Sequence, residues 1–169
     1  MSPRRASGAT LSPDHVSFSV PRTAVAARVL LSRGASSDGE VYVVQRLPLR
    51  GGPETVLEML CRPEGFFAFR PKQGETLWLV AKAHAVTVSV EGQAEEDPER
   101  LSAIRRVGAE MVLSEGTKLV GWASVELPPD QTRLLDYLNT SRDPFVRMWT
   151  ERSTHYVNRA HIVYARPLD

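Results

Sequence analysis

His84 and His161 stand at matching places in two similar stretches, Val80-Ala-Lys-Ala-His-Ala-Val86 and Val157-Asn-Arg-Ala-His-Ile-Val163. Imidazole is the side chain best suited to proton exchange or metal ligation near neutral pH, so the pair offers a shared ligand site or a pH-sensitive contact. No cluster with metal-ligand spacing surrounds either one, and a structural or interface role is the reading the spacing favours; no metal is expected. The remaining polar candidates lie nearby in the chain: Arg133, Asp136 and Asn139 in one segment, Asn158 and Arg159 in another. Together with the two histidines they form the candidate binding set, suited to a polar ligand. The competing roles are local, since Asp136 can pair with Arg133 and Asn139 sits where a helix would stop.

Catalytic constellations are missing from the chain. It has no Gly-x-Ser-x-Gly elbow, no phosphate-cradling glycine loop before Lys-Ser or Lys-Thr, and no Gly-x-Gly-x-x-Gly after a strand. Carboxylate pairs fall in turns and linkers, where solvent explains them. The expectation is therefore a protein that is not an enzyme, with no catalytic residues and no cofactor. The single cysteine, Cys61, follows Met59 and Leu60, which suggests a partly buried thiol and allows no internal disulfide.

The whole-chain balance points the same way. Lys and Arg number 21 against 20 Asp and Glu, a net charge of +1, so no global field draws the protein to nucleic acid or acidic lipid. With 42% hydrophobic and 24% charged residues, the chain has the make-up of a soluble globular protein. Arg4 and Arg5 are followed by no apolar run of signal-peptide length, and no segment approaches a bilayer span, so a cytoplasmic location and no membrane partner are expected.

The elements that must position these residues follow from an internal self-similarity. Ala27-Arg-Val-Leu-Leu-Ser-Arg-Gly34 lies against Ala109-Glu-Met-Val-Leu-Ser-Glu-Gly116, and Gly39 and Val43 fall against Gly121 and Val125 in the same register. Val56-Leu-Glu-Met-Leu60 then matches Leu134-Leu-Asp-Tyr-Leu138, Phe67 is set against Phe145, and the two Ala-His stretches close the pattern. The shared identities go beyond apolar alternation, and the reading is a duplication.

Each half reads as β-β-short α-β-β. A hairpin turns at Gly34 or Gly116, and helix-start chemistry appears at Pro53 and Asp130. Leu57 and Leu60 in one helix, and Leu134, Leu135 and Leu138 in the other, are expected to face the sheet. Two strands follow, the last of them bent. The fold expected is mainly β (α+β), two tandem units forming small barrel-like or paired-sheet bodies with pseudo-two-fold symmetry. The organisation is a flexible segment over 1–23 with an edge strand at Val16–Val20, units at 24–90 and 107–166, a charged linker with a short helix over 91–106, and a tail over 167–169.

The run Thr132-Arg-Leu-Leu-Asp-Tyr-Leu-Asn139, then Phe145, then Val157-Asn-Arg-Ala-His-Ile162, resembles an uncharacterised family of small bacterial β-domains. A fainter similarity is to Sm-like RNA-binding barrels, carried by Gly121, by Asp136-Tyr-Leu-Asn139 and by Val157 to Tyr164. That second resemblance implies single-stranded nucleic-acid binding, with Arg147, Arg152 and Arg159 on phosphates and Tyr137, Trp149 or Tyr156 stacking on bases. Ala160 stands where that barrel signature has glycine.

The leading functional expectation is a non-enzymatic binding, regulatory or scaffold module. Its partner would be another protein or a second copy of itself, met through a sheet edge or an aromatic surface. Trp78, Trp122 and Trp149, with Phe66, Phe67, Phe69, Tyr137, Tyr156 and Tyr164, are too many for a thin core to cover entirely.

Overall fold

The computed structural model of the chain describes residues 20–45, 52–74, 76–92, 105–125 and 133–168. The edge strand expected at Val16–Val20, apart from Val20, most of the linker expected over 91–106 and the helix start expected at Asp130 lie outside those residues.

The protein is mainly β. Among the described residues ten strands form one antiparallel sheet: β1 (Arg22–Leu31), β2 (Ser36–Val44), β3 (Phe66–Pro71), β4 (Trp78–Ala81), β5 (Ala85–Glu91), β6 (Arg105–Leu113), β7 (Lys118–Val125), β8 (Phe145–Trp149), β9 (Ser153–Asn158) and β10 (Ile162–Pro167). Among the described residues two short helices, α1 (Val56–Cys61) and α2 (Leu134–Thr140), each follow a hairpin. The spatial order is β10-β6-β7-β8-β9-β5-β1-β2-β3-β4. Within it the first half runs β5-β1-β2-β3-β4 and the second β10-β6-β7-β8-β9, which is the same order of strands.

Local sequence explains the turns. The β1–β2 and β6–β7 hairpins close through Gly34 (φ 83°) and Gly116 (φ 101°), left-handed conformations that cost glycine little. Each hairpin is clamped alike: Leu31 N–H donates to Ala35 O and Leu113 N–H to Thr117 O, at 2.8 and 2.9 Å. The expected bend in each closing strand is a 3-10 turn, over Lys82–His84 and Arg159–His161, and it divides the strand in two.

Helix α1 starts later than Pro53 suggests. Thr55 is its N-cap: the Thr55 hydroxyl accepts from Glu58 N–H at 3.1 Å and the Glu58 carboxylate accepts from Thr55 N–H at 2.8 Å. This reciprocal box satisfies two amide groups that proline cannot. Val56, Met59 and Leu60 are buried, the three- and four-residue spacing of one helix face. In α2, Leu134 is buried and Leu138 half-buried, while Leu135 is 66% exposed and does not face the sheet as expected.

Buried residues gather in two clusters. One joins Val29, Val41, Phe67, Phe69 and Leu60 of the first half with Phe145 and Tyr156 of the second. The other joins Met111, Leu113, Leu134, Val146 and Met148 of the second half with Val86 of the first. The clusters exchange members because β5 pairs directly with β9, Val88 opposite Tyr156 and Val90 opposite Thr154.

This joint corrects the expected symmetry. A two-fold contact would be reciprocal, β5 with β9 and also β10 with β4, whereas the last strand of the first half meets the fourth strand of the second and the reciprocal pair stands at opposite ends of the sheet. The strands also form a single open sheet, whose outer strands β10 and β4 do not pair with each other, and not barrel-like bodies. At the C-terminal end, β10 reaches Pro167 and Leu168 N–H donates to Gly108 O, so these two residues belong to the sheet and not to a tail.

Register also shifts one pairing inferred from sequence. Phe145 lies opposite Asn158 and Phe66 opposite Ala81, and Asn158 and Ala81 hold the same place in their stretches. Phe145 therefore corresponds to Phe66, not Phe67. The cause is helix length, seven residues in α2 against six in α1.

Candidate functional site: the joint between the halves

Asn158 is buried at the end of β9, and its side-chain amide donates to Lys82 O and Ala85 O, each at 3.0 Å. Its carbonyl oxygen accepts from Ala160 N–H at 3.1 Å, so the same side chain also starts the second 3-10 turn. His161 reaches the same segment of the first half, with Nε2 2.7 Å from Ala83 O. A carbonyl only accepts, so Nε2 carries the proton and donates. In the neutral ring Nδ1 then accepts from the Ser114 hydroxyl at 2.7 Å. Two residues singled out as ligand groups are thus ties between the halves.

His84 holds the corresponding place in the first half and is exposed, with its Nδ1 3.2 Å from the Ser32 hydroxyl. Each of the two histidines is held by the serine just past its own hairpin strand. A third histidine, His155, pairs across the joint with Ser89, Nδ1 to Oγ 2.7 Å. Burial holds the His155 ring below the usual histidine pKa and favours its neutral form.

Arg159 is not aimed at solvent. Its guanidinium donates to the carbonyls of Leu138 in the last turn of α2, where helix carbonyls lack backbone partners, and of Ser141 and Asp143 just past it. Lys82 does the same for α1, with Nζ donating to Met59 O at 3.0 Å and Arg62 O at 2.8 Å. Burial lowers the Lys82 pKa. Lys82 escaped the reading from sequence, although its alignment with Arg159 was the signal that pairs them.

The aromatic residues divide. Trp149 and Tyr156 are 4% and 2% exposed, so neither ring offers a face for base stacking. The guanidinium groups of Arg106 and Arg147 lie 5.1 and 5.5 Å from the Trp149 ring centroid. Burial lowers the Arg147 pKa and raises that of Tyr156. Phe66, Trp78, Trp122 and Tyr164 are exposed.

Arg133, Asn139, Asn158 and Arg159 do come together, along an open groove between α2 and β10 whose apolar wall includes Leu135, Leu138 and Val163. Arg133 is the exposed N-cap residue of α2, and its side chain makes no capping bond. Asp136 sits half-buried in the first turn of α2, outside the groove lining, as do His84 and His161. Cys61, at the end of α1, is half-buried with Sγ 4.0 Å from Phe145 O. Burial raises the Cys61 pKa, which keeps the thiol protonated.

Among the described residues no group of three or more His, Cys, Asp or Glu side chains is placed to hold a metal ion, and no helix is long and apolar enough to cross a membrane. Comparison with protein-family models, curated proteins and solved structures returned no match. The class that the fold defines is a mainly β protein whose single sheet is continuous across two similarly ordered halves.

Proposed function

We propose that the protein is a non-catalytic binding or scaffold module, two tandem copies of one β unit, acting through protein–protein contacts at the outer edge of its sheet. The observation that carries this reading is the ribbon β3–β4. Phe66 on β3 and Leu79 on β4 share one face of it and are 63% and 72% exposed, Leu77 just before β4 is 42% exposed and Trp78 on the opposite face 41%, and among the described residues β4 pairs on one side only. Apolar side chains on an unpaired edge make a template for a partner's strand, which the edge meets with main-chain hydrogen bonds and side-chain contacts.

Support for the tandem unit comes from the matched strand order and from matched contacts. Ser32 with His84 and Ser114 with His161 are one such pair, and Lys82 and Arg159 on their helix ends are another. Asn158 and His161, two of the polar residues that suggested a ligand site, bond across the joint, which favours a scaffold role for them.

Cross-linked capture from native cells, with wild type beside a Phe66→Asp/Leu79→Asp variant, tests the reading. Proteins or copies held by wild type and lost by the folded variant are expected. An identical captured set from both, or turnover of a metabolite by the purified protein, overturns it.

A further inference from the structure

Inside the chain, the contact that joins the halves pairs the last strand of the first with the fourth strand of the second. The corresponding strands left over are β10 and β4, and these are the two outer strands of the sheet. The molecule therefore ends in the two complementary sides of the contact that holds its middle together.

Exposure follows the same correspondence. Phe145, Thr154 and Tyr156, on the face of β8–β9 turned to the first half, are 2%, 0% and 2% exposed. Phe66 on β3, Leu79 on β4 and Leu77 just before β4 hold the corresponding positions and are 63%, 72% and 42% exposed. On the receiving side, Phe145 and Tyr156 pack in the cluster that contains Leu60, Val88 and Val90. The corresponding Leu138, Ala165 and Pro167 line the open groove between α2 and β10.

We propose that copies of this chain associate head to tail, the β4 edge of one molecule pairing with β10 of the next while Phe66 and Leu79 enter the α2–β10 groove. The proposal rests on the edge-binding reading above and names the partner as a second copy. Carrying over the internal register, Val88 opposite Tyr156 and Val90 opposite Thr154, sets Ala165 against Leu79 and Pro167 against Leu77. His84, exposed where His161 is tied, corresponds to the residue that bonds Ala83 O across the internal joint.

Two differences make this contact weaker than the internal one. Leu168 N–H turns inward to Gly108 O, so its neighbour Pro167 faces the outer edge, where it has no N–H to donate. Ala81 replaces Asn158 and removes two side-chain bonds across the joint. The outcome is a reversible association. Because the surfaces that meet are unlike, each added copy leaves another edge open until a ring closes or a filament grows.

Sedimentation of the full chain over a concentration series tests this. Wild-type mass should rise above monomer with concentration, and Phe66→Asp or Leu79→Asp should weaken association about tenfold or more. Both side chains are largely exposed, so the melting temperature of the dilute variants should be unchanged. In a Cys61→Ala background, a mixture of Leu77→Cys and Pro167→Cys proteins should form a mixed disulfide, because opposed strand positions lie ~5.5 Å apart at Cα. Neither variant alone should cross-link. Wild type that stays monomeric throughout, or self-cross-linking of one cysteine variant as a two-fold dimer would give, overturns the proposal. A monomeric wild type that still loses captured proteins on Phe66→Asp/Leu79→Asp substitution separates this failure from failure of the edge-binding reading.

Discussion

Phe145 and Phe66 hold corresponding positions in their strands, opposite Asn158 and Ala81, yet Phe145 is 2% exposed and Phe66 63%. The first fills the joint between the halves and the second stands on the outer ribbon. Their truncations should diverge accordingly. Phe145→Ala is expected to cost about 3–5 kcal/mol by transfer and cavity effects, and Phe66→Ala within about 0.5 kcal/mol of nothing, as for a surface site. Urea unfolding of dilute protein measures both.

Asn158 supplies the amide hydrogens for Lys82 O and Ala85 O in a buried place. Replacing it by Leu strands both carbonyls, and a loss of about 1–3 kcal/mol is expected from unpaired buried acceptors. Asn158→Asp should be worse, since a carboxylate would face two carbonyl oxygens. Equal stability of wild type and Asn158→Leu in chemical denaturation would remove the joint role assigned to this residue.

Gly39 and Gly121 sit where a Cβ would overlap the carbonyl oxygens of Arg70 and Trp149, backbone atoms that cannot swing aside. Alanine at either should cost about 1–3 kcal/mol, the usual range for overpacking. Gly52, with nothing within 4 Å of a built Cβ, is the control and should tolerate alanine. Melting temperatures of the three variants make the comparison.

Burial depresses the His155 pKa in the folded protein below its unfolded value. The unfolded chain therefore binds protons first, and this contribution to stability is fully present above about pH 6.5 and is lost as pH falls below it. His155→Gln should flatten that part of the profile. Melting temperature against pH, wild type minus variant, isolates the effect, and an unchanged difference across this range would show that His155 does not carry it.

Much of the strand content was legible because it is local. Alternating apolar residues along β1 and β6, and glycines at Gly34 and Gly116, state where a strand runs and where it turns, with no knowledge of the partner strand. The helix starts were less legible: Pro53 looked like a start, but the reciprocal bonds of Thr55 and Glu58 placed it two residues on. Of the candidate set, Arg133, Asn139, Asn158 and Arg159 line one groove, while Asp136, His84 and His161 do not. Its roles were not legible, because a side-chain amide or guanidinium reads alike whether it will meet a ligand or a distant carbonyl.

By itself, then, the sequence determined a mainly β chain, the hairpins, and the stretches that carry polar residues, since period-two burial and turn geometry are written residue by residue. Only the tertiary structure decided that β5 meets β9, that Asn158 and His161 tie the halves, and that Phe145 is covered while Phe66 is not. The physical reason is that strand pairing between halves satisfies backbone groups nearly every strand possesses. Which edges join is settled by side chains far apart in the chain, and in the joint they decide together.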